Sequence, residues 1–214
     1  MFDCDGVLVD SEVIAVEIDR IILAEHGWHL TTEEIVDRFL GRSFSHVQAS
    51  LEEHLGHTLP ATWETKQASR YLEAFTKELR PVAGIEAALD AISLATCIAS
   101  SGSHEKLRHT LGLTGLAPRF QGRVFSASEV TRGKPAPDLF LHAAAKMGVA
   151  PERAVVVEDS QHGVAAGLAA GMRVLGYAGG MTPEKWLEEA GAIVFYDMAQ
   201  LPSLIEELKR SRTA

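Results

Sequence analysis

Two aspartates lie two positions apart near the start of the chain, in the stretch Phe2-Asp3-Cys4-Asp5-Gly6. In an extended backbone, side chains at positions i and i+2 point to the same side, so both carboxylates can share one site at the end of a strand. Such carboxylates repel each other unless a cation lies between them or one carries a proton, and both arrangements suit phosphoryl transfer. The alternative is a solvated acidic turn, in which Asp and Gly are ordinary residues.

A second acidic pair, Glu158 and Asp159, follows the apolar run Ala154-Val155-Val156-Val157. Adjacent carboxylates at the end of a buried strand suit a hard cation, and Mg²⁺ typically takes one or two carboxylates together with water and substrate phosphate. The pair therefore predicts a magnesium site. The alternative is a pair of acids at a helix N-terminus, where the helix dipole favours them.

Ser100, Ser101 and Lys134 are candidates for binding a phosphate. The serines follow an apolar run and precede a helix, so their hydroxyls and the first amides of that helix can bind an anion, or one serine can simply cap the helix. Lys134 lies between Gly133 and Pro135 in a loop with two prolines, which fix where its side chain points. Phosphate is a natural partner of a lysine held in this way, although most lysines are solvated surface charges.

From residue 82 onward, short apolar runs alternate with helical patterns, which predicts a parallel sheet built from right-handed βαβ units. The predicted strands are Ala95–Ala99, Arg123–Phe125, Ala154–Val157, Arg173–Tyr177 and Ala192–Phe195. Ligands of such sheets bind at the carboxyl ends of the strands. Because Asp3, Ser100 and Asp159 each follow a predicted strand, we expect them to meet at one edge of the sheet.

Residues 11–81 have helical patterns throughout and contain no predicted strand. The chain is therefore predicted to be an α/β protein with a Rossmann-like, doubly wound parallel core, residues 1–10 and 82–214, and an inserted all-α helical-bundle cap, residues 11–81. A buried strand normally has about five or six residues, but only Met1 and Phe2 precede Asp3. We therefore expect about four to six further apolar residues upstream of Met1.

The composition is that of a globular protein, with 46% hydrophobic and 23% charged residues among 214. The net charge of −9 argues against a nucleic-acid partner. No stretch resembles a membrane span or a signal peptide, so we expect no membrane partner and a cytoplasmic location. Cys4 and Cys97 lie in apolar surroundings and are predicted to be free, buried thiols.

In this order, these residues resemble the four motifs of the haloacid dehalogenase-like phosphohydrolases. Asp3 to Ser11 is similar to the first motif, Ser100 (or, as a weaker match, Ser101) to the second, Lys134 in Gly-Lys-Pro to the third, and Val157-Glu158-Asp159-Ser160 to the fourth. A helical cap after the first motif is typical of the branch that contains β-phosphoglucomutase and sugar-phosphate phosphatases. The resemblance covers nearly the whole chain.

The resemblance implies a role for each of these residues. Asp3 would be the nucleophile that forms an aspartyl-phosphate, and Asp5 the general acid and then the general base. Mg²⁺ would be held by the Asp3 side chain, the Asp5 backbone carbonyl and Asp159, with Glu158 bound directly or through water. Ser100 and Lys134 would bind the transferring phosphoryl group.

Two departures favour a phosphatase over a phosphosugar mutase. The mutase branch carries a histidine at the position that matches Ala15 and an arginine near Phe44. We therefore predict hydrolysis of a small phosphorylated metabolite, such as a sugar phosphate, by a monomer or a dimer, with a β-phosphoglucomutase-like mutase as the alternative. Candidate residues for substrate selection in the cap are Arg42, Ser43, Lys66 and Arg70.

A non-catalytic function is a further alternative. A phosphoaccepting aspartate on a parallel sheet also describes a signalling receiver domain, and a relative without activity could act as a binding protein. The inserted helices argue against a receiver, which has no leaving group to enclose. The presence of a suitable residue at every motif position argues against an inactive relative.

Overall fold

The computed structural model describes residues 1–42 and 44–210 of the 214-residue chain. It divides into two compact units. The helical unit comprises Ser11–Leu79, and the α/β unit comprises Met1–Asp10 together with the chain from Arg80 onward. The sequence predicted that the core resumes at residue 82, whereas the α/β unit resumes at Arg80.

The described residues of the helical unit form four helices. They are α1 (Ser11–Glu25), α2 (Thr32–Phe39), α3 (Phe44–Leu55) and α4 (Trp63–Glu78). Helix α1 packs against both α2 and α4. Helix α2 begins with a capping box, because the Thr31 hydroxyl accepts from the Glu34 amide while the Glu34 carboxylate accepts from the Thr31 amide. This motif was readable in the sequence as Thr-x-x-Glu.

A parallel sheet forms the centre of the α/β unit. Its strands are β1 (Ile98–Ser100), β2 (Val124–Ser126), β3 (Val155–Glu158), β4 (Arg173–Tyr177) and β5 (Ile193–Phe195). Strand β1 pairs with β2, and β4 lies between β3 and β5, in parallel throughout. Phe2 joins the two groups, because it forms parallel bridges to both Ile98 and Val157. The strand order is therefore β2-β1-Phe2-β3-β4-β5.

Six helices complete the α/β unit within the described residues. They are α5 (Ile85–Ala91), α6 (His104–Leu113), α7 (Asp138–Met147), α8 (Gln161–Ala169), α9 (Glu184–Glu189) and α10 (Leu201–Arg210). Helix α7 packs on β1 and β2, and α8 packs on β3 and β4, around fully buried residues such as Phe140 and Val156. This alternation of parallel strands and helices confirms the predicted fold class. The short helix α9 was not predicted.

The segment Cys4–Val9 forms a tight turn after the bridging residue Phe2. Gly6 has a φ of 72°, which glycine adopts at no steric cost, and its amide donates to the Val9 carbonyl at 2.9 Å. The Asp10 amide then donates to the Arg80 carbonyl at 2.9 Å. The chain therefore leaves the α/β unit and returns to it at neighbouring residues.

Both cysteines are free and buried, as predicted. Among the described helices, none combines the length and the apolar character that crossing a bilayer requires.

Candidate active site

Three carboxylates from two neighbouring segments meet at the carboxyl edge of the sheet. The Asp3 amide donates to the Val157 carbonyl at 2.9 Å, which places Asp3 beside the end of β3. Asp3, Glu158 and Asp159 are all buried, and one oxygen from each lies within 4.8 Å of the others. The parallel sheet brings them together because its strands end at one edge.

Lys134 connects two of these carboxylates. Its Nζ lies 2.6 Å from Oδ1 of Asp3 and 2.5 Å from Oε1 of Glu158, and its side chain is only 5% exposed. The ammonium also lies 4.9 Å from the centre of the Phe140 ring. Desolvation alone would lower the pKa of Lys134, but the two carboxylates outweigh it and raise that pKa. The lysine therefore remains charged at the centre of the site.

The Glu158 carboxylate is fixed through both of its oxygens. Oε1 accepts from Lys134, while Oε2 accepts from the Asp159 amide at 3.1 Å, the Ser160 amide at 3.0 Å and the Ser160 hydroxyl at 2.9 Å. A Cβ at Gly163 would lie 1.8 Å from Oε1, so this position of the carboxylate requires a glycine there. Glu158 therefore fixes the positions of Lys134 and Ser160. The sequence had indicated only a metal-binding role for this residue.

The two candidate serines have different environments. Ser100 is 1% exposed, and its Oγ accepts from the Gly102 amide at 3.2 Å, whereas Ser101 is exposed. The N-cap of α6 is Ser103, whose hydroxyl accepts from the Lys106 amide at 3.2 Å. Neither candidate serine is therefore the cap, and only Ser100 lies buried at the end of its strand.

Asp5 has a cationic partner that sequence reasoning missed. Nζ of Lys106, in the first turn of α6, lies 2.6 Å from Oδ2 of Asp5. The Lys106 side chain is 44% exposed and that of Asp5 is 27% exposed. Desolvation lowers the pKa of Lys106, but the attraction of Asp5 outweighs this effect and the pKa is raised. No local signal marked this pair, because the two residues are 101 positions apart.

Burial raises the pKa of Asp3 to about 7. The ammonium of Lys134 opposes this rise, whereas the nearby Glu158 and Asp5 carboxylates add to it by repulsion. Like charges gathered in a buried position are costly unless cations offset them. The three carboxylates are thus a suitable donor set for a hard divalent cation.

The structure describes three of the four candidate residues for substrate selection, and all three belong to the helical unit. Arg42 and Lys66 are exposed. Arg70 forms a two-point ion pair with Glu25, with distances of 2.7 and 2.8 Å, so its charge is already matched within the helical unit. Ser43 lies outside the described residues.

Comparison with known proteins agrees with these motifs. Residues 1–171 match the haloacid dehalogenase-like hydrolase family. The chain is 34% identical over 204 residues to the 6-phosphogluconate phosphatase of Escherichia coli K12, covering 95% of this chain and 92% of that protein.

Two solved structures extend the similarity to the whole fold. A conserved haloacid dehalogenase-like protein of Agrobacterium tumefaciens superposes with a TM-score of 0.90 at 38% identity, covering 97% of both chains. A hydrolase of this family from Deinococcus radiodurans, solved with bound phosphate and sodium, gives a TM-score of 0.84 at 34% identity, covering 97% of this chain and 94% of that one. The chain therefore belongs to the haloacid dehalogenase-like hydrolases, as its motifs indicated, and it is a phosphomonoester hydrolase of that family.

Proposed function

We propose that this protein is a Mg²⁺-dependent phosphatase that hydrolyses a small phosphorylated metabolite, such as a sugar phosphate, through an aspartyl-phosphate on Asp3. The observation that supports this most is the arrangement around Lys134, which joins Asp3 to Glu158 at the carboxyl edge of the sheet. The name of the E. coli relative adds phosphorylated sugar acids to the candidate substrates.

In the proposed first step, the Asp3 carboxylate attacks phosphorus while the Asp5 carboxyl group gives its proton to the leaving oxygen. In the second step, Asp5 takes a proton from water, and that water displaces Asp3 from phosphorus. Lys134 holds one oxygen of Asp3 at 2.6 Å and thereby orients the other oxygen for attack. The proposed mechanism thus gives different tasks to two aspartates that the sequence presents as a pair.

Lys134 and Ser100 have donors suited to the transferring phosphoryl group. An ammonium has three N–H donors, and Lys134 directs two of them to Asp3 and Glu158. The third can bind a phosphoryl oxygen. The Ser100 hydroxyl accepts from the Gly102 amide, so its own hydrogen can be donated to a second phosphoryl oxygen.

The acidic cluster fits a magnesium ion, because three buried carboxylates place oxygens within 4.8 Å of one another. Asp3, Asp159 and the Asp5 backbone carbonyl would hold the ion, with Glu158 bound directly or through water. A bound Mg²⁺ would offset the repulsion between Asp3 and the substrate phosphate.

The helical unit is proposed to act as a cap, residues 11–79, that selects the leaving group. Its insertion directly after the acidic loop supports this role. The hydrophobic Ala15 and Phe44, in place of polar groups expected of a mutase, favour water as the phosphoryl acceptor.

Phosphate release from a panel of phosphorylated sugars, sugar acids and p-nitrophenyl phosphate tests the proposal. We expect turnover that requires Mg²⁺, and a loss of at least about 1,000-fold in Asp3→Asn, because the nucleophile is removed. Asp90→Asn makes the same chemical change at an exposed ion pair with Arg119 and should leave turnover unchanged. Turnover that survives Asp3→Asn contradicts the mechanism, and faster isomerisation of β-glucose 1-phosphate than hydrolysis identifies a mutase.

A further inference from the structure

Two lysines bind different acidic residues of the site. Lys134 is buried and binds Asp3 and Glu158, whereas Lys106 is half-exposed and binds Asp5. The cluster of three carboxylates within 4.8 Å consists of Asp3, Glu158 and Asp159, and it does not include the Asp5 side chain. The Asp5 carboxylate is thus paired with Lys106 and is not a member of the cluster suited to a metal.

The position of Lys106 follows from the start of α6. Ser103 caps the helix and fixes its first turn, and Leu107 anchors that turn because it is 1% exposed. A Cβ at Gly102 would lie 3.4 Å from Cδ of Lys106, so the aliphatic part of the lysine packs against this turn. A cation in the first turn of a helix is opposed by the helix dipole. The helix itself therefore gives no reason for a lysine here, whereas Asp5 does.

We propose that Lys106 is a positioning residue of the phosphatase reaction, which holds the Asp5 carboxyl group in the orientation that delivers its proton to the leaving oxygen. The inference rests on the proposed function. Lys106 donates to Oδ2 of Asp5 at 2.6 Å, so the proton that Asp5 delivers lies on the other oxygen, which this contact holds in a fixed direction. Ion pairs between partly exposed side chains contribute little to stability, so losing this contact affects the reaction more than the fold.

The test varies the leaving group while its size stays nearly constant. A series of substituted phenyl phosphates runs from p-nitrophenyl, whose leaving group needs little protonation, to p-methoxyphenyl, whose leaving group needs more. The ratio kcat/KM reports the steps up to the aspartyl-phosphate, so it isolates departure of the leaving group. Three variants are compared with the unmodified protein: Lys106→Met, Lys106→Arg, and Arg108→Met as a control that removes an exposed charge from the same helix.

We expect Lys106→Met to lower kcat/KM by roughly 10- to 100-fold for p-methoxyphenyl phosphate, which is part of what a general acid contributes, and by less than about 3-fold for p-nitrophenyl phosphate. Lys106→Arg should restore most of the loss, and Arg108→Met should change neither substrate. In an Asp5→Asn background, Lys106→Met should cause no further loss, because the residue through which it acts is already changed.

Equal losses across the series would overturn the proposal, because a direct contact with the phosphate or a general structural defect affects all members alike. A further loss in the Asp5→Asn background would also overturn it. If the unmodified protein releases phosphate from no substrate, the proposed function itself has failed. The two failures are thus distinguished by the unmodified protein alone.

Discussion

Each unit of the molecule contains a buried aspartate whose pKa is raised by burial, and these two aspartates differ in their partners. Asp3 of the α/β unit is 8% exposed and Asp19 of the helical unit is 7% exposed. Burial raises the pKa of Asp3 to about 7 and that of Asp19 to about 6. Asp3 is paired with the Lys134 ammonium, whereas Asp19 accepts a hydrogen bond from the neutral Tyr71 hydroxyl.

The comparison shows that burial and a shifted pKa do not by themselves identify a reactive group. Asp3 differs from Asp19 in having other carboxylates close to it. Glu158 and Asp159 lie in the same cluster, and Asp5 adds to the repulsion. Asp19 accepts from the neutral Tyr71 hydroxyl and lies in the interface between α1 and α4. We therefore interpret Asp3 as a reactive carboxylate and Asp19 as a structural one.

Removing the partner of each aspartate should give the largest contrast. Lys134→Met leaves two buried carboxylates without their cation, so we expect a loss of about 3–5 kcal/mol in unfolding free energy without metal. Turnover should fall by roughly 100- to 1,000-fold. Tyr71→Phe removes one hydrogen bond to a carboxylate and should cost about 1–3 kcal/mol. Urea unfolding in EDTA and phosphate release with Mg²⁺ measure these effects, and a larger stability loss in Tyr71→Phe would reverse our interpretation.

A smaller effect is expected when the Glu158 carboxylate is displaced without changing any charge. The Cβ of Gly163→Ala would collide with Glu158, so the carboxylate must leave Lys134 and Ser160. We expect turnover to fall by roughly 10- to 100-fold, as misplaced catalytic groups do. Gly112→Ala is the matched control, because nothing lies within 4 Å of its Cβ and alanine should stabilise α6 by roughly 0.5–1 kcal/mol. Unchanged turnover in Gly163→Ala would show that Glu158 is dispensable.

The effect expected at Asp19 is confined to stability, leaves turnover unchanged and depends on pH. Its folded pKa of about 6 exceeds the ordinary 3.8, so the folded protein binds more protons than the unfolded chain between these values. Its contribution to stability is therefore fully present below pH 3.8 and declines as the pH rises through 6. The unfolding free energy of Asp19→Asn should therefore rise relative to that of the unmodified protein, by roughly 2–3 kcal/mol in total as the pH is raised from 4 to 7.

Urea unfolding followed by tryptophan fluorescence measures this difference, since Trp28 and Trp63 both lie in the helical unit. A difference between the two proteins that does not vary with pH would mean that Asp19 is ionised in the fold at both ends of the range.

The sequence was sufficient to predict the architecture and the convergence of Asp3 and Asp159 at one edge, because short apolar runs ending in polar residues determine where parallel strands stop. Strand limits were less predictable. The first run was expected at Ala95–Ala99, but β1 spans Ile98–Ser100 because its register is set by pairing with Val124–Ser126. Helix α9 was missed because six residues after Pro183 carry too short a periodic pattern.

The contacts of the site were harder to predict than its position. The pairing of Lys106 with Asp5 depends on how a helix start faces a turn 101 residues away, and a lone lysine gives no such signal. The need for glycine at position 163 follows from a side chain five residues earlier that folds back over the helix, with a Cβ-to-oxygen distance of 1.8 Å. Both features depend on side-chain direction in three dimensions rather than on residue type and spacing.

The hydrogen bond between the Asp10 amide and the Arg80 carbonyl has an evolutionary consequence. The helical unit is inserted between two residues whose backbones are hydrogen-bonded to each other. The backbone hydrogen bonds of the α/β unit therefore do not depend on the length of the inserted segment. Insertions whose ends are close together disturb the host fold least. Descendants of this gene can therefore carry a longer, shorter or different insertion while the α/β fold is kept.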